Sequence, residues 1–297
     1  MKIMENNILD LKKEMEKLAY LSSAIALLQW DQQVNMPYGA VVHRANQLAY
    51  LESLYHEIYT GEKFSALLEQ FVDLKSGNII NDSLSNLEKR MVYESWRDYK
   101  SANCLPNDFV KEYTKTQSES YSAWEKAKTT NSFGDFAPFL QKIIDMSKEK
   151  ARLLNPEVSM YDALIDQFEP YMTTSEYDKL FSDLREKISI LIKKIKSKNK
   201  KFYDIKKQKW PKDAQLNFIN LVLHDLGYDM NCGRQDASEH PFSSAFHPTD
   251  SRITTKIKEK DLMFGILASV HECGHALYEQ GLDSTWYGTP LGAANSF

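Results

Sequence analysis

Four of the seven histidines lie between positions 240 and 275, and the last two close the run His271-Glu272-Cys273-Gly274-His275. Imidazoles four residues apart on a helix share one face, with Cβ atoms about 5–6 Å apart. Their nitrogens can therefore converge on one divalent ion, zinc first among candidates, at about 2.0–2.1 Å. Glu272 sits one residue beyond His271 and turns to the same side, so its carboxylate can take a proton from a water polarised by the ion without itself being a ligand. From composition alone, H-E-x-x-H arises in roughly one such chain in a hundred, so a surface helix with two unrelated histidines is the competing reading. His56-Glu57-Ile58-Tyr59-Thr60 begins the same way but ends in threonine and forms no site.

The pattern needs a helix, and the surrounding residues signal one. Asp261 reads as its N-cap, Leu262, Ile266, Leu267 and Val270 as its apolar face, and Gly281 as its C′ stop. Cys273, inside the motif, reads as a small packed residue. Upstream, apolar residues recur at helical spacing from Ile8 (Leu11, Met15, Leu18, Leu21, Ile25, Leu28) until Met36-Pro37-Tyr38-Gly39 breaks the chain. The same periodicity predicts helices at about Val41–Tyr59, Lys63–Leu74, Leu84–Asn103, Asp108–Lys128 and Phe136–Leu154, punctuated by turn-type clusters. Thr173-x-x-Glu176 has the form of a capping box opening a helix to about Lys198, and a further helix runs from Asp213 to about Leu226. Residues 228–257 lose this periodicity, carry two prolines and hold the β-leaning run Arg252-Ile253-Thr254-Thr255, which predicts a short hairpin or small sheet. The expected fold is mainly α, a single domain over 1–297: a helical portion (1–227), a small β region (228–257) and the metal helix (258–281).

The run from His271 to Gly281 resembles the active-site helix of the M32 (Taq-type) metallocarboxypeptidases. His240-Pro241-Phe242 is similar to that family's His-Pro-Phe motif, and Asp250-Ser251-Arg252-Ile253-Thr254 to its Asp-x-Arg-x-Thr motif, with Gly233-Arg234-Gln235-Asp236 leading into them. Weaker likeness reaches Tyr161–Leu164, Glu169–Thr174 and, near the N-terminus, Leu28-Gln29-Trp30-Asp31-Gln32 with Met36-Pro37. The resemblance implies a largely helical enzyme, usually a homodimer, that removes C-terminal residues from peptides one at a time. It implies Zn2+ (Co2+ or Mn2+ as alternatives) on His271 and His275, Glu272 as general base and then acid, and His240 and Arg252 near the substrate. On residue chemistry alone His240 could instead be a hydrogen-bonding structural histidine, and Arg252 could pair with Asp250.

A catalytic zinc site takes three protein ligands and an open position. The family's third ligand is a glutamate in a His-Glu-Ser-Gln stretch beyond the zinc helix, and no His-Glu pair follows here; the arginine that would hold the substrate's terminal carboxylate is also missing. Glu279 lies eight residues past His271, about 12 Å along the axis, too far to share a tetrahedral ion. Asp283 lies beyond Gly281, and a metzincin pattern fails at Tyr278. The expectation is a C-terminally incomplete metallocarboxypeptidase that binds zinc weakly, cleaves poorly or not at all, and self-associates through uncovered apolar surface.

Composition excludes other classes. With 42% hydrophobic and 26% charged residues and a net charge of −4, the chain is neither disordered nor built for polyanions. The longest apolar run, Leu18 to Leu28, is about half the length a membrane span requires. The N-terminus shows no signal-peptide pattern, and three scattered cysteines (Cys104, Cys232, Cys273) fit a reducing cytoplasm. The nine lysines between Lys193 and Lys209 read as a solvated helix end rather than a nucleic-acid patch. A zinc oligopeptidase and a non-catalytic helical interaction module are the alternatives.

Overall fold

The structure is a computed structural model that describes residues 2–198 and 208–293. The chain begins with a long helix, α1 (Lys2–Val34), followed by α2 (Val41–Thr60), α3 (Glu62–Leu68), α4 (Asn86–Asn103), α5 (Asn107–Thr130), α6 (Phe133–Leu154), α7 (Met160–Ile165), α8 (Thr174–Ser197) and α9 (Lys212–Asp225). Strands β1 (Gln235–Ala237), β2 (Ser243–His247) and β3 (Asp250–Thr255) then lead to α10 (Leu262–Gln280). The mainly helical class with a small sheet beside the last helix is as expected from the sequence.

The main core lies between α1, α3 and α4. Ile8, Leu11, Met15 and Leu18 pack there against Phe64, Leu68, Phe71, Val72, Met91, Val92 and Trp96. Leu21 and Leu28, expected in the same stripe, are only half-buried. The helix expected to reach Leu74 stops at Leu68, because Phe71 and Val72 are buried from an irregular backbone that turns back on itself. An isolated bridge joins Val72 to Ile79, and Gly77 at φ 78° makes the turn against the Trp96 ring. The two helix starts with capping boxes, Ser85/Glu88 on α4 and Thr173/Glu176 on α8, follow from side-chain chemistry that satisfies the free N–H groups of the first turn. The short α7 escapes periodicity analysis at six residues; Ser159 caps it by accepting from the Asp162 N–H. The lysine-rich run Lys193–Lys209 falls largely outside the described residues.

The sheet has the order β1-β3-β2, with β1 parallel and β2 antiparallel to the central β3. It is thus a hairpin plus one added strand. Cys232 O accepts from Ser251 N at 2.8 Å and Arg234 O from Ile253 N at 3.0 Å, carrying the approach to β1 along β3. Gly233 allows this approach: a Cβ there would lie 2.1 Å from Tyr228 Oη and 2.2 Å from Ser251 O.

α10 packs on β3 and α9 through small residues. Gly265, Ser269, Cys273 and Ala276 are buried, whereas Leu267, expected on the buried face, is 59% exposed. The helix lies so close to the sheet that Ser269 Oγ donates to Thr255 Oγ1 at 2.8 Å, and large side chains would push it away. Asp261 stands at the N-cap position without a capping hydrogen bond, and Gly281 is the C-cap residue in right-handed conformation (φ −86°), so neither terminus uses the chemistry expected of it.

Candidate metal centre

His271 and His275 stand one turn apart on the solvent side of α10, with Nε2 atoms 3.3 Å apart and rings nearly perpendicular at 86°. Two nitrogens each 2.0–2.1 Å from a tetrahedral ion lie about 3.3–3.4 Å apart. The pair therefore has the separation a shared divalent ion requires, and the donor type suits zinc. Glu272 is on the inner side, 8% exposed, and its carboxylate has no hydrogen-bond partner among the described residues.

Beside this helix is an open cleft of about 660 Å³. Phe264, Leu267, Ala268, His271 and Glu272 form its α10 wall, at the i, i+3, i+4, i+7, i+8 spacing of one helix face. The loop before β2 supplies Glu239, His240 and Pro241, α5 supplies Lys128, and the turn before α10 supplies Lys256 and Lys258. The structure thus brings His240, His271 and Glu272 to one cavity. The His240 ring makes no hydrogen bond among the described residues, while its carbonyl accepts from Ser238 Oγ at 2.7 Å.

Thr254 explains why the His-Pro-Phe stretch sits here. Phe242 N donates to Thr254 Oγ1 at 2.9 Å, and Thr254 N donates to Phe242 O at 2.8 Å. The next residue, Thr255, holds α10 instead. One strand therefore fixes both the loop that carries His240 and the helix that carries His271.

Arg252 is placed differently. Its guanidinium grips both Asp250 oxygens at 2.7 and 2.9 Å and lies 4.8 Å from the Trp30 ring centroid and 5.0 Å from that of Phe246. It does not line the cleft with His271. The geometry is that of the Asp250 pair, and Trp30, buried on α1, also meets the guanidinium of Arg234 at 5.6 Å. Trp30 thereby joins α1 to the sheet, while its neighbours tie α1 to other helices: Asp31 binds Arg44 of α2 at 2.7 Å, and the Gln32 amide donates to Ser118 O of α5 at 3.0 Å.

No group of three or more His, Cys, Asp or Glu side chains among the described residues is placed to hold a metal. Cys273 is fully buried, and burial pushes its thiol up, so it stays neutral. Glu279, one turn past His275, faces a second cleft of about 380 Å³ between α1, α2, α4, β2 and residues 287–293. Burial raises its pKa, with His275 opposing.

The cleft's charged rim was not visible in the sequence. The Lys256 and Lys128 ammonium groups, at 2.5 and 3.1 Å, hold the Glu239 carboxyl below its ordinary value. Lys128 is more than a hundred residues from this partner, and no local pattern marks it. Phe264, at seven residues before His271, could have been found by extending the helical face backward.

Comparison with known proteins matches residues 10–297 to the family model of carboxypeptidase Taq (M32) metallopeptidases. The thermostable carboxypeptidase 1 of Thermus thermophilus is 35% identical over 301 residues, 98% of this chain and 58% of that protein. The BsuCP crystal structure is similar at a TM-score of 0.90 and 31% identity, covering 97% of this chain and 57% of that one. The M32 carboxypeptidase from Deinococcus radiodurans R1 is similar at 0.83 and 33%, covering 97% and 56%. The chain spans somewhat more than half the length of these relatives. No helix among the described residues is long and apolar enough to cross a membrane.

Proposed function

From the premise that the chain belongs to the carboxypeptidase Taq (M32) metallopeptidase family, we propose that it carries the metal-binding and general-base portion of a zinc-dependent carboxypeptidase acting on peptides in the cytoplasm. The observation that supports this best is the 3.3 Å separation of the His271 and His275 nitrogens on one helix face, beside a half-lined peptide-sized cleft. These two imidazoles would hold the ion. A divalent ion bound there supplies Lewis acidity, polarising a scissile carbonyl and making water a better nucleophile at neutral pH. Glu272, nearly buried and, among the described residues, without a partner that would compete for its lone pairs, would take the proton from the attacking water and return it to the leaving amine. His240, across the cleft, donates to the substrate backbone. Arg252 acts indirectly, holding Trp30, Phe246 and Asp250 in place behind the site.

Two imidazoles are fewer protein donors than a catalytic zinc site uses, and the described residues offer no third. A centre with these two donors alone binds zinc weakly and turns over slowly, and the same observation favours a second reading, a helical interaction module that retains the fold without the chemistry. Self-association, as a homodimer, is part of the proposal: α8 leaves Leu180, Phe181, Leu184, Ile188, Leu191 and Ile195 exposed along one side.

Zinc titration against a chromogenic chelator tests the centre. The wild-type chain should show weak but saturable uptake, approaching one zinc per chain only at high zinc, His271→Ala and His275→Ala should each abolish it, and Glu272→Gln should leave it intact. Uptake that survives the double histidine substitution would refute the assignment. Release of C-terminal residues that disappears in Glu272→Gln would separate the enzyme reading from the interaction module.

A further inference from the structure

The loop that carries His240 leaves the sheet and returns to it between Ser238 and Phe242. Ser238 N donates to Thr255 O at 3.1 Å, and Phe242 is tied to Thr254 through both its N–H and its carbonyl. β3 therefore fixes the two ends and leaves Glu239, His240 and Pro241 as an apex that lines the cleft with His271 and Glu272. Pro241 has a fixed φ and confines the residue before it to extended backbone. Glu239 is the apex residue that its own chemistry leaves without restraint.

Two lysines from distant elements meet on that residue. Lys128, in the last turn of α5, places Nζ 3.1 Å from the Glu239 carboxylate and 3.3 Å from its backbone carbonyl. Lys256, in the turn between β3 and α10, places its own Nζ 2.5 and 3.5 Å from the same two groups. Trp124, one helical turn before Lys128, aims the lysine stem, its ring centroid lying 4.7 Å from the ammonium. All three charged side chains are part-exposed, and pairs of this kind add little to stability. Their effect is geometric. Both cations grip main chain as well as side chain, so the apex is pinned from α5 and from the β3–α10 turn at once. The His240 ring, without a hydrogen bond among the described residues, is left to meet a ligand.

We propose that Lys128, Glu239 and Lys256 are positioning residues, a clamp that fixes His240 at the edge of the cleft. The proposal rests on the reading of His240 as a substrate-contacting residue and adds to it the groups that hold it in place beforehand. A donor already in place needs no ordering when substrate binds, and a displacement of about 1 Å in such a group can cost about a hundredfold in rate.

The test reads the loop directly, by backbone amide relaxation in NMR of the full chain. The His240 amide should have an order parameter of about 0.85 in wild type and below about 0.6 in Lys128→Met and in Lys256→Met. Lys128→Arg should keep the wild-type value, and so should Lys126→Met, the same charge change on an exposed residue of α5 outside the cleft. The Phe242 amide, held by Thr254, should stay rigid in every variant, and the melting temperature should fall by no more than about 2 °C. Release of C-terminal residues from a peptide at saturating zinc reads the consequence. Lys128→Met should lower kcat/KM about tenfold, and should cost nothing further on a His240→Gln background. A lysine that served only the fold would lower both rates alike. The proposal is overturned if the His240 amide stays rigid in both lysine variants, if Phe242 loosens with it, or if the rate loss persists without His240. A chain that releases no residue at all refutes the peptidase reading instead, and the relaxation data still decide on the clamp.

Discussion

Replacing Thr254 by valine should loosen the site without touching any group that reacts. The hydroxyl is fully buried, accepts from Phe242 N at 2.9 Å and from Ser238 Oγ at 2.7 Å, and donates to Phe242 O at 3.2 Å. Valine is nearly isosteric, so little volume changes and the effect isolates the polar contacts. Leaving the Phe242 N–H without its partner costs about 1–3 kcal/mol, and the second bond contributes about 0.5–1.5 kcal/mol net. The expected loss is about 2–4 kcal/mol, or roughly 3–6 °C in melting temperature for a domain of this size. Thr254→Ser keeps the hydroxyl and removes one methyl group, costing about 1 kcal/mol. Thermal melts followed by circular dichroism give the ranking, and amide hydrogen exchange should show Phe242 exchanging faster in the valine variant alone. If the valine variant melts within about 2 °C of wild type, or the serine variant falls as far, then Thr254 does not hold the His240 loop by hydrogen bonding and the account of that motif is wrong.

Two further perturbations probe the same framework. Gly233→Ala places a methyl group against Tyr228 Oη and the Ser251 carbonyl, neither of which can move without breaking their 2.7 Å hydrogen bond, so the variant should lose about 3 kcal/mol in a thermal melt. The Glu239 ion pairs should give the fold an acid-sensitive component. Its carboxyl is held below the unfolded value of 4.5 by Lys256 and Lys128, so the folded state binds fewer protons, the stabilisation is complete above that value, and it disappears as pH falls through the folded pKa. Glu239→Gln should therefore lower stability by about 0.5–1 kcal/mol at neutral pH and match wild type in acid, in melts taken from pH 7 to pH 3. A gap that stays constant with pH would remove the ion pairs as its cause.

The long helices were legible because burial on one side leaves a periodic trace: the spacing of Leu11, Met15 and Leu18 alone marks them as a stripe. The places where that reading erred share a physical cause. Phe71 and Val72 are buried without being helical, so apolar content carried the expected helix past Leu68. α10 reverses the usual rule. Its inner face is glycine, serine, cysteine and alanine because the sheet comes close, and its leucine at 267 points to the cleft and solvent. For the site, spacing was enough to place His271, Glu272 and His275 together, since one helix positions all three. It could not place Lys128 opposite Lys256, because that contact is made by the packing of α5 against a loop more than a hundred residues later.

The separate motifs near the C-terminus become one device when β3 is followed residue by residue. Successive side chains on a strand point to opposite faces. Arg252 reaches toward Trp30 on α1, Ile253 is buried in the core under α10, Thr254 binds the loop of His240 and Thr255 binds Ser269 on the metal helix. Four consecutive residues thus fix the strand to the first helix, the small core, the His240 loop and the His271 helix in turn. Shifting β3 by one residue would exchange these partners and separate His240 from His271. This accounts for a spacing between motifs that has no meaning along the chain itself: the Asp250–Thr254 stretch sets the distance between the His240 loop and the His271 helix, the two stretches on which the proposed site rests.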